Sequence, residues 1–296
     1  MITALFRQLR LTLEMIRIEH TVFALPFAFL GAVLAERRFP DAVTCAWILL
    51  AMVGARSAAM AFNRLADLPF DRENPRTSDR VLPQGRVSRR YVLGFTVSSA
   101  LLMLLAAYML NPLAFILAFP ALLVILGYSL TKRFTSLTHI VLGFALSIAP
   151  AGGWIAVTGT FDPRILLLSV VVVTWVAGFD ILYACQDVGF DSRFGLYSVP
   201  VRFGIRRALT ISFLLHFGTI LSLGLIIYVF QLSWFSLAGS LLLAGILVYE
   251  HLLLRPQDLS RVNTAFFTLN GIFSILLFII VLLDIWLFQT PIIPLR

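Results

Sequence analysis

The chain has 296 residues, 60% of them hydrophobic and only 13% charged, with a mean hydropathy of +0.95 and a formal net charge of +8. That much apolar surface excludes an ordinary soluble domain and points to membrane-spanning helices. The basic balance does not indicate nucleic acid, because the basic residues are sorted along the chain rather than gathered into one patch.

Residues 1–20 mix Leu, Ile and Phe with Arg7, Arg10, Glu14, Arg17, Glu19 and His20. No small-residue cleavage site follows, so an amphipathic helix lying on the membrane is expected rather than a cleaved leader. Nine apolar spans follow, at roughly 21–36, 43–62, 91–109, 113–129, 137–157, 164–185, 208–230, 235–254 and 264–288. Long continuous runs in lipid are helical, because only a helix or a closed barrel satisfies the backbone there. The expected fold is therefore all-α: one polytopic integral-membrane domain over 1–296, with about nine helices bundled around a central cavity.

With that topology, 18 of the 23 basic residues, counting Arg17, lie on one side. Arg37, Arg38, Arg164 and Arg296 lie on the other, and Arg56 falls within a span. This positive-inside pattern puts loops 63–90 and 186–207 on the cytoplasmic face of a cell (inner) membrane. Cys45 and Cys185 both fall in spans and read as small core residues, supporting neither a disulfide nor a Cys/His metal site.

The two basic loops also carry acids. Seven of the chain's 15 acidic residues lie in two neighbourhoods: Asp67, Asp71, Glu73 and Asp79, then Asp180, Asp187 and Asp191. The first reads Asn63-x3-Asp67-x3-Asp71, the second Tyr183-x3-Asp187-x3-Asp191, and the two are offset by 120 residues. That offset, after spans two and six, suggests a duplicated four-helix unit with a ninth helix appended. Residues at i and i+4 share one helix face. Pro69 makes this less secure in the first cluster, where it is expected to kink or end the helix.

Taken singly, either cluster could merely neutralise neighbouring arginines. Two facing sets of carboxylates at a membrane surface instead call for cations, and hard oxygen donors suit Mg²⁺ together with a diphosphate. Lys132, the only lysine beside 22 arginines, offers a compact ammonium to a phosphate oxygen. Arg56, about two turns before Asn63, needs an anionic partner such as a substrate carboxylate or an internal aspartate. His20 and His139 read as satisfied polar residues, and Gly152-Gly153 as a site of close helix packing or substrate approach.

Several ordered motifs, spread over most of the chain, resemble the UbiA superfamily of intramembrane aromatic prenyltransferases. They are Arg56-Ser-Ala-Ala-Met-Ala-Phe-Asn63 through Asp71, Asn74-Pro-Arg-Thr with Arg80-x-Leu-Pro-x-Gly85, Tyr128-Ser-x-Thr-Lys132-Arg133, Ala149-Pro-x-Gly-Gly-Trp154, and Tyr183 through Asp191. The branch it looks most like prenylates 4-hydroxybenzoate. The segment Glu14 to Phe27 also resembles a subgroup that prenylates 1,4-dihydroxy-6-naphthoate on the futalosine route to menaquinone. The resemblance implies that Asn63, Asp67, Asp71, Asp187 and Asp191 hold Mg²⁺, two ions in all, with the diphosphate of a polyprenyl donor. It implies that Tyr128, Lys132 and Tyr183 line the diphosphate and the ionising C–O bond, and that Arg56 and Arg133 contact acceptor or diphosphate. Asp180 and Arg80 are further substrate-binding candidates. Leu68-Pro69 departs from the polar residues that the family often has there. The expected partners are the polyprenyl diphosphate, a small aromatic acid and membrane lipid, with no nucleic acid and no obligate protein partner. A secondary transporter also shows duplicated helices and intramembrane acids, but its ionisable residues belong nearer mid-membrane. A phosphatidyltransferase would carry an Asp-Gly-x2-Ala-Arg signature, which is absent from the sequence.

Overall fold

The computed structural model describes residues 2–17 and 21–288, and these are helical with no strand among them. Glu19, His20 and Arg296 lie outside the described residues. A helix α1 (Ile2–Ile16) precedes α2 (Thr21–Glu36), α3 (Ala42–Glu73), α4 (Arg89–Leu110), α5 (Pro112–Thr131), α6 (Thr138–Thr158) and α7 (Leu166–Ala184). Two short helices, α8 (Val188–Arg193) and α9 (Val199–Phe203), lead into α10 (Ile205–Val229), α11 (Trp234–Leu252) and α12 (Asn270–Leu287). Eight described helical stretches are long and apolar enough to cross a membrane, with a shorter apolar helix at Ala24–Glu36. The nine expected spans are thus these eight and α2. At 16 residues, α2 rises only about 24 Å, less than a bilayer core.

The main core is aromatic and aliphatic, centred on Trp175, which packs against Phe27, Phe179 and Phe273. Small residues bring α2 against α6. A Cβ on Gly153 would lie 1.8 Å from the Ala28 carbonyl oxygen, and one on Gly31 would lie 2.0 Å from that of Pro150. Gly152, one residue earlier, faces open space.

The longest helix decides where the first acidic motif sits. Asp41 caps α3 by accepting from Val43 N–H and Thr44 N–H. The helix then runs 32 residues, about 48 Å at the α-helical rise, so its last turns outreach the hydrocarbon core. It does not end at Pro69. Proline already has a helical φ, and this one removes a single donor in the final turns, which the helix tolerates. Residues 63–73, expected as loop, are therefore helix, and Asp67 and Asp71 are buried. The second motif is the less regular one. The Cys185 N–H turns to the Leu182 and Tyr183 carbonyls, so α7 tightens into a 3₁₀ turn at Cys185–Asp187 before α8.

Helix α1 is amphipathic. Leu11, Met15 and Ile16 pack on Met60, Leu68, Val81, Leu82 and Val87, while Phe6, Leu9 and Arg10 are exposed. It is tied down by Thr12 to the Tyr91 hydroxyl at 2.6 Å, by Glu14 to Arg86 at 2.7 Å, and by Arg64 Nε donating to the Met15 carbonyl at 3.3 Å.

Candidate functional site

The ends of α3, α5 and α7 and the two following loops enclose a polar cleft of about 280 Å³. Asn63, Asp67 and Asp71 line it from α3, Tyr128 and Lys132 from α5, and Asp180, Tyr183, Asp187 and Asp191 from the α7–α8 segment. Arg17, Arg56 and Arg80 also line it. The two acidic motifs thus meet across one space although 120 residues separate them in the chain.

Three of their four carboxylates, Asp67, Asp71 and Asp187, are held by cations. Asp67 Oδ2 accepts from Asn63 Nδ2 at 3.1 Å and pairs with Lys132 Nζ at 3.0 Å, while its Oδ1 is buried without a partner. Arg80 Nη1 donates to both oxygens of Asp71, at 2.8 and 2.9 Å, and Arg64 stands 3.9 Å away. Arg76 reaches across from the loop after α3. It grips Asp187 with Nε at 2.9 Å and with Nη2, and its Nη1 donates to the Tyr183 hydroxyl at 2.8 Å. Burial alone would lower the pKa of Arg76, but the bonds and charge of Asp187 outweigh that and raise it, so it stays protonated. Among the described residues no three acidic, His or Cys side chains stand close enough to share one metal ion.

His139 is a satisfied polar residue, and it joins the site. Its Nε2 accepts from the Val199 N–H at 3.3 Å, so Nδ1 carries the proton and donates to Asp180 Oδ2 at 2.7 Å. The Tyr197 N–H donates to the Lys132 carbonyl at 2.7 Å, fixing the loop after the second motif to the end of α5.

Of the expected site residues, only Arg133 is not brought to the cleft. It is exposed, donates to the Ala66 carbonyl and lies over the Phe70 ring at 5.5 Å. Just past the end of α5, Lys132 and Arg133 both lie over the Phe70 ring, but Lys132 turns to the Asp67 carboxylate and Arg133 to the Ala66 carbonyl. Arg76 and Arg64 are the charged residues that sequence reasoning passed over. The signal for Arg76 was the Asn74-Pro75 turn, in which Asn74 Oδ1 accepts from the Arg76 N–H at 2.9 Å and aims the chain back over α7.

A second cavity, of about 380 Å³ and almost wholly apolar, lies deeper between α2, α3, α5 and α6. The two share Ala24, Arg56, Tyr128, Leu142 and Leu146 as walls. Arg56, with its Nε buried and unpartnered, and Tyr128 therefore stand where the polar space meets the apolar one. Gly152 and an alanine-rich lining including Ala51, Ala55, Ala118 and Ala121 keep the deeper cavity wide.

The sequence model described as the UbiA prenyltransferase family matches residues 24–287. The 4-hydroxybenzoate octaprenyltransferase of Nitrosomonas eutropha is 30% identical over 263 residues, covering 86% of this chain and 88% of that protein. A UbiA homologue from Aeropyrum pernix, solved in its apo form, superposes with a TM-score of 0.82 at 32% identity, covering 90% of this chain and 98% of the other. A UbiA homologue from Archaeoglobus fulgidus, bound to GPP and Mg²⁺, shares the fold with a TM-score of 0.72 at 20% identity, over 92% of this chain and 99% of that one.

Proposed function

Because this chain belongs to the UbiA prenyltransferase family, we propose that it transfers a polyprenyl group from polyprenyl diphosphate to 4-hydroxybenzoate in quinone biosynthesis. One observation carries the reading: a charged cleft built from both acidic motifs adjoins a long apolar cavity, with Arg56 and Tyr128 between them. A diphosphate head and an isoprenoid tail have that same division of polarity.

The donor set fits a hard divalent ion. Five carboxylates and the Asn63 amide line the cleft, and the Asp67 Oδ1 is a buried acceptor with no partner. Asn63, Asp67 and Asp71 on one wall, and Asp187 and Asp191 on the other, would hold two Mg²⁺ ions. When bound, these supply neutralising charge to the diphosphate as the allylic C–O bond breaks. The chain's own cations then change partners. Lys132, Arg76 and Arg80 leave Asp67, Asp187 and Asp71 and donate to phosphate oxygens. The ring faces of Tyr183 and Tyr128 steady the positive charge left on the prenyl carbon, by about 0.5–2 kcal/mol each. Arg56 grips the acceptor carboxylate, His139 holds Asp180 beside the reacting carbon, and the apolar cavity keeps water away. The acceptor ring carbon ortho to the hydroxyl forms the new C–C bond and loses its proton to a carboxylate or to the released diphosphate. Arg133 takes no part, consistent with its place outside the cleft.

The positive-inside distribution supports a cytoplasmic cleft in a cell membrane. In a C45S/C185S background, a cysteine at exposed Asp79 should react with an impermeant maleimide only from the cytoplasmic side. Labelling from outside intact cells would reverse the orientation.

The acceptor is tested with membranes carrying the protein, Mg²⁺ and a long allylic diphosphate. 4-Hydroxybenzoate and 1,4-dihydroxy-6-naphthoate are offered in parallel and products detected by mass. Prenylated 4-hydroxybenzoate is the expected result. Product from the naphthoate alone would move the enzyme to the menaquinone route, and product from neither would refute both assignments.

A further inference from the structure

Between α7, α10, α11 and α12, behind the cleft, three polar side chains that prenyl transfer does not use are fully buried: His216, Glu250 and Asn270. Burying polar groups in a membrane bundle is costly, and their presence marks a task. His216 reaches this place because residue 178 is glycine, where a Cβ would lie 2.3 Å from the imidazole. Its Nε2 donates to the Trp175 carbonyl at 3.2 Å, so Nδ1 faces His251 Nε2 at 3.0 Å and Glu250 Oε2 at 3.7 Å. Asn270 Nδ2 donates twice, to Glu250 Oε1 and to the Ala265 carbonyl, each at 3.0 Å.

The second of these bonds lies inside the helix ladder. Ala265 belongs to a π-helical turn, Thr264–Leu269, and Asn270 is the first residue beyond it. The Asn270 backbone N–H turns to the Phe267 carbonyl, and its side chain occupies the Ala265 carbonyl five residues back. An inserted side chain of this kind is what holds a helix in a wide turn that it would not otherwise keep. The turn carries Phe266 and Phe267, both in the cleft wall. The Phe266 ring lies 4.2 Å from that of Tyr183 and 5.2 Å from that of Phe179.

We propose that Asn270, anchored by Glu250, is a positioning residue for prenyl transfer: it fixes the π-turn that presses Phe266 against Tyr183 and so shapes the aromatic wall facing the reacting prenyl carbon. The proposal rests on the prenyltransferase reading of the cleft. Once the C–O bond has broken and diphosphate has left, the prenyl cation has two fates. The acceptor carbon takes it and gives up a proton, or water takes it and gives polyprenol and a proton. A wall held tight favours the first.

The test compares N270A, E250L and E250Q with wild type for kcat, for the KM of the prenyl diphosphate, and for the ratio of prenylated acceptor to polyprenol. N270A and E250L should lose roughly ten- to a hundredfold in kcat, with KM unchanged and the product ratio shifted to polyprenol. E250Q keeps a carbonyl acceptor for Asn270 and should restore coupling. Where N270A is not recovered folded, the two Glu250 variants carry the comparison. A merely structural role would lower the thermal midpoint and leave the product ratio alone. In substrate-free protein labelled with 3-fluorotyrosine, the Tyr183 resonance, assigned by its loss in Y183F, should move in E250L and return in E250Q. Unchanged coupling and an unmoved resonance in E250L, or an E250Q that behaves as E250L, would overturn the inference. If wild type prenylates no acceptor while the resonance moves as stated, the functional reading fails and the positioning of the wall stands.

Discussion

At the residue scale the site is defined by pairing. Every carboxylate that Arg76, Arg80 and Lys132 now hold is one that a divalent ion would need, and each of those cations is one that a diphosphate would attract. Arg76 is the sharpest case, because it links the loop after the first motif to Asp187 and Tyr183 of the second. Replacing it with alanine should have two effects of opposite sign. The KM for prenyl diphosphate should rise roughly tenfold, as expected for losing a charged hydrogen bond. The Mg²⁺ concentration for half-maximal turnover should fall, because Asp187 is released from its competitor. A parallel rise in both quantities would show that Arg76 only props up the cleft. The sequence marked the acids and Lys132 because i, i+4 spacing and a lone lysine are visible in one dimension. It could not rank the arginines. Arg76 sits among seven in residues 63–90, and which one folds back over α7 depends on a turn direction that only the assembled bundle fixes. Arg133 failed for the same reason: adjacency to Lys132 carries no information about which group of α3 it meets.

At the element scale, length and small residues matter more than hydrophobicity. Helix α3 carries the first motif beyond the apolar layer simply by running on, and Pro69 did not stop it because the loss of one N–H near the end of a long helix is minor. The sequence over-read that proline and under-read the tightening at Cys185–Asp187, which arises from how α7 ends rather than from any breaker residue. The adjacent glycines of α6 were legible as a pair but not as two separate functions. Both line the apolar cavity, but Gly153 also meets the backbone of α2 while Gly152 faces open space. G153A should therefore cost about 1–3 kcal/mol of stability by overpacking, read as a lower thermal midpoint in detergent. G152L should leave the midpoint in place and cut turnover of long prenyl diphosphates more than of short ones. Equal effects of both substitutions on both readouts would show that the cavity does not hold the tail.

At the scale of the whole molecule, the helical bundle brings together two motifs that the chain keeps 120 residues apart, and sets an apolar cavity beside them. The all-helical membrane bundle and the pairing of the two acidic motifs were readable from hydropathy and repeat spacing, since lipid leaves the backbone few alternatives. The aromatic wall behind Tyr183 was not, because its cause is a buried Glu250–Asn270 contact that no local pattern announces. The central claim is that both acidic motifs act on one Mg²⁺-bound diphosphate. The most direct measurement is Mg²⁺-dependent diphosphate release and product formation by purified wild-type protein beside D67A and D187A, each shown to be folded in detergent. The account expects chelation to abolish wild-type turnover, and each single variant, one from either wall, to lose at least about a hundredfold. Near-normal turnover in both variants, or product that survives removal of divalent ions, would contradict it.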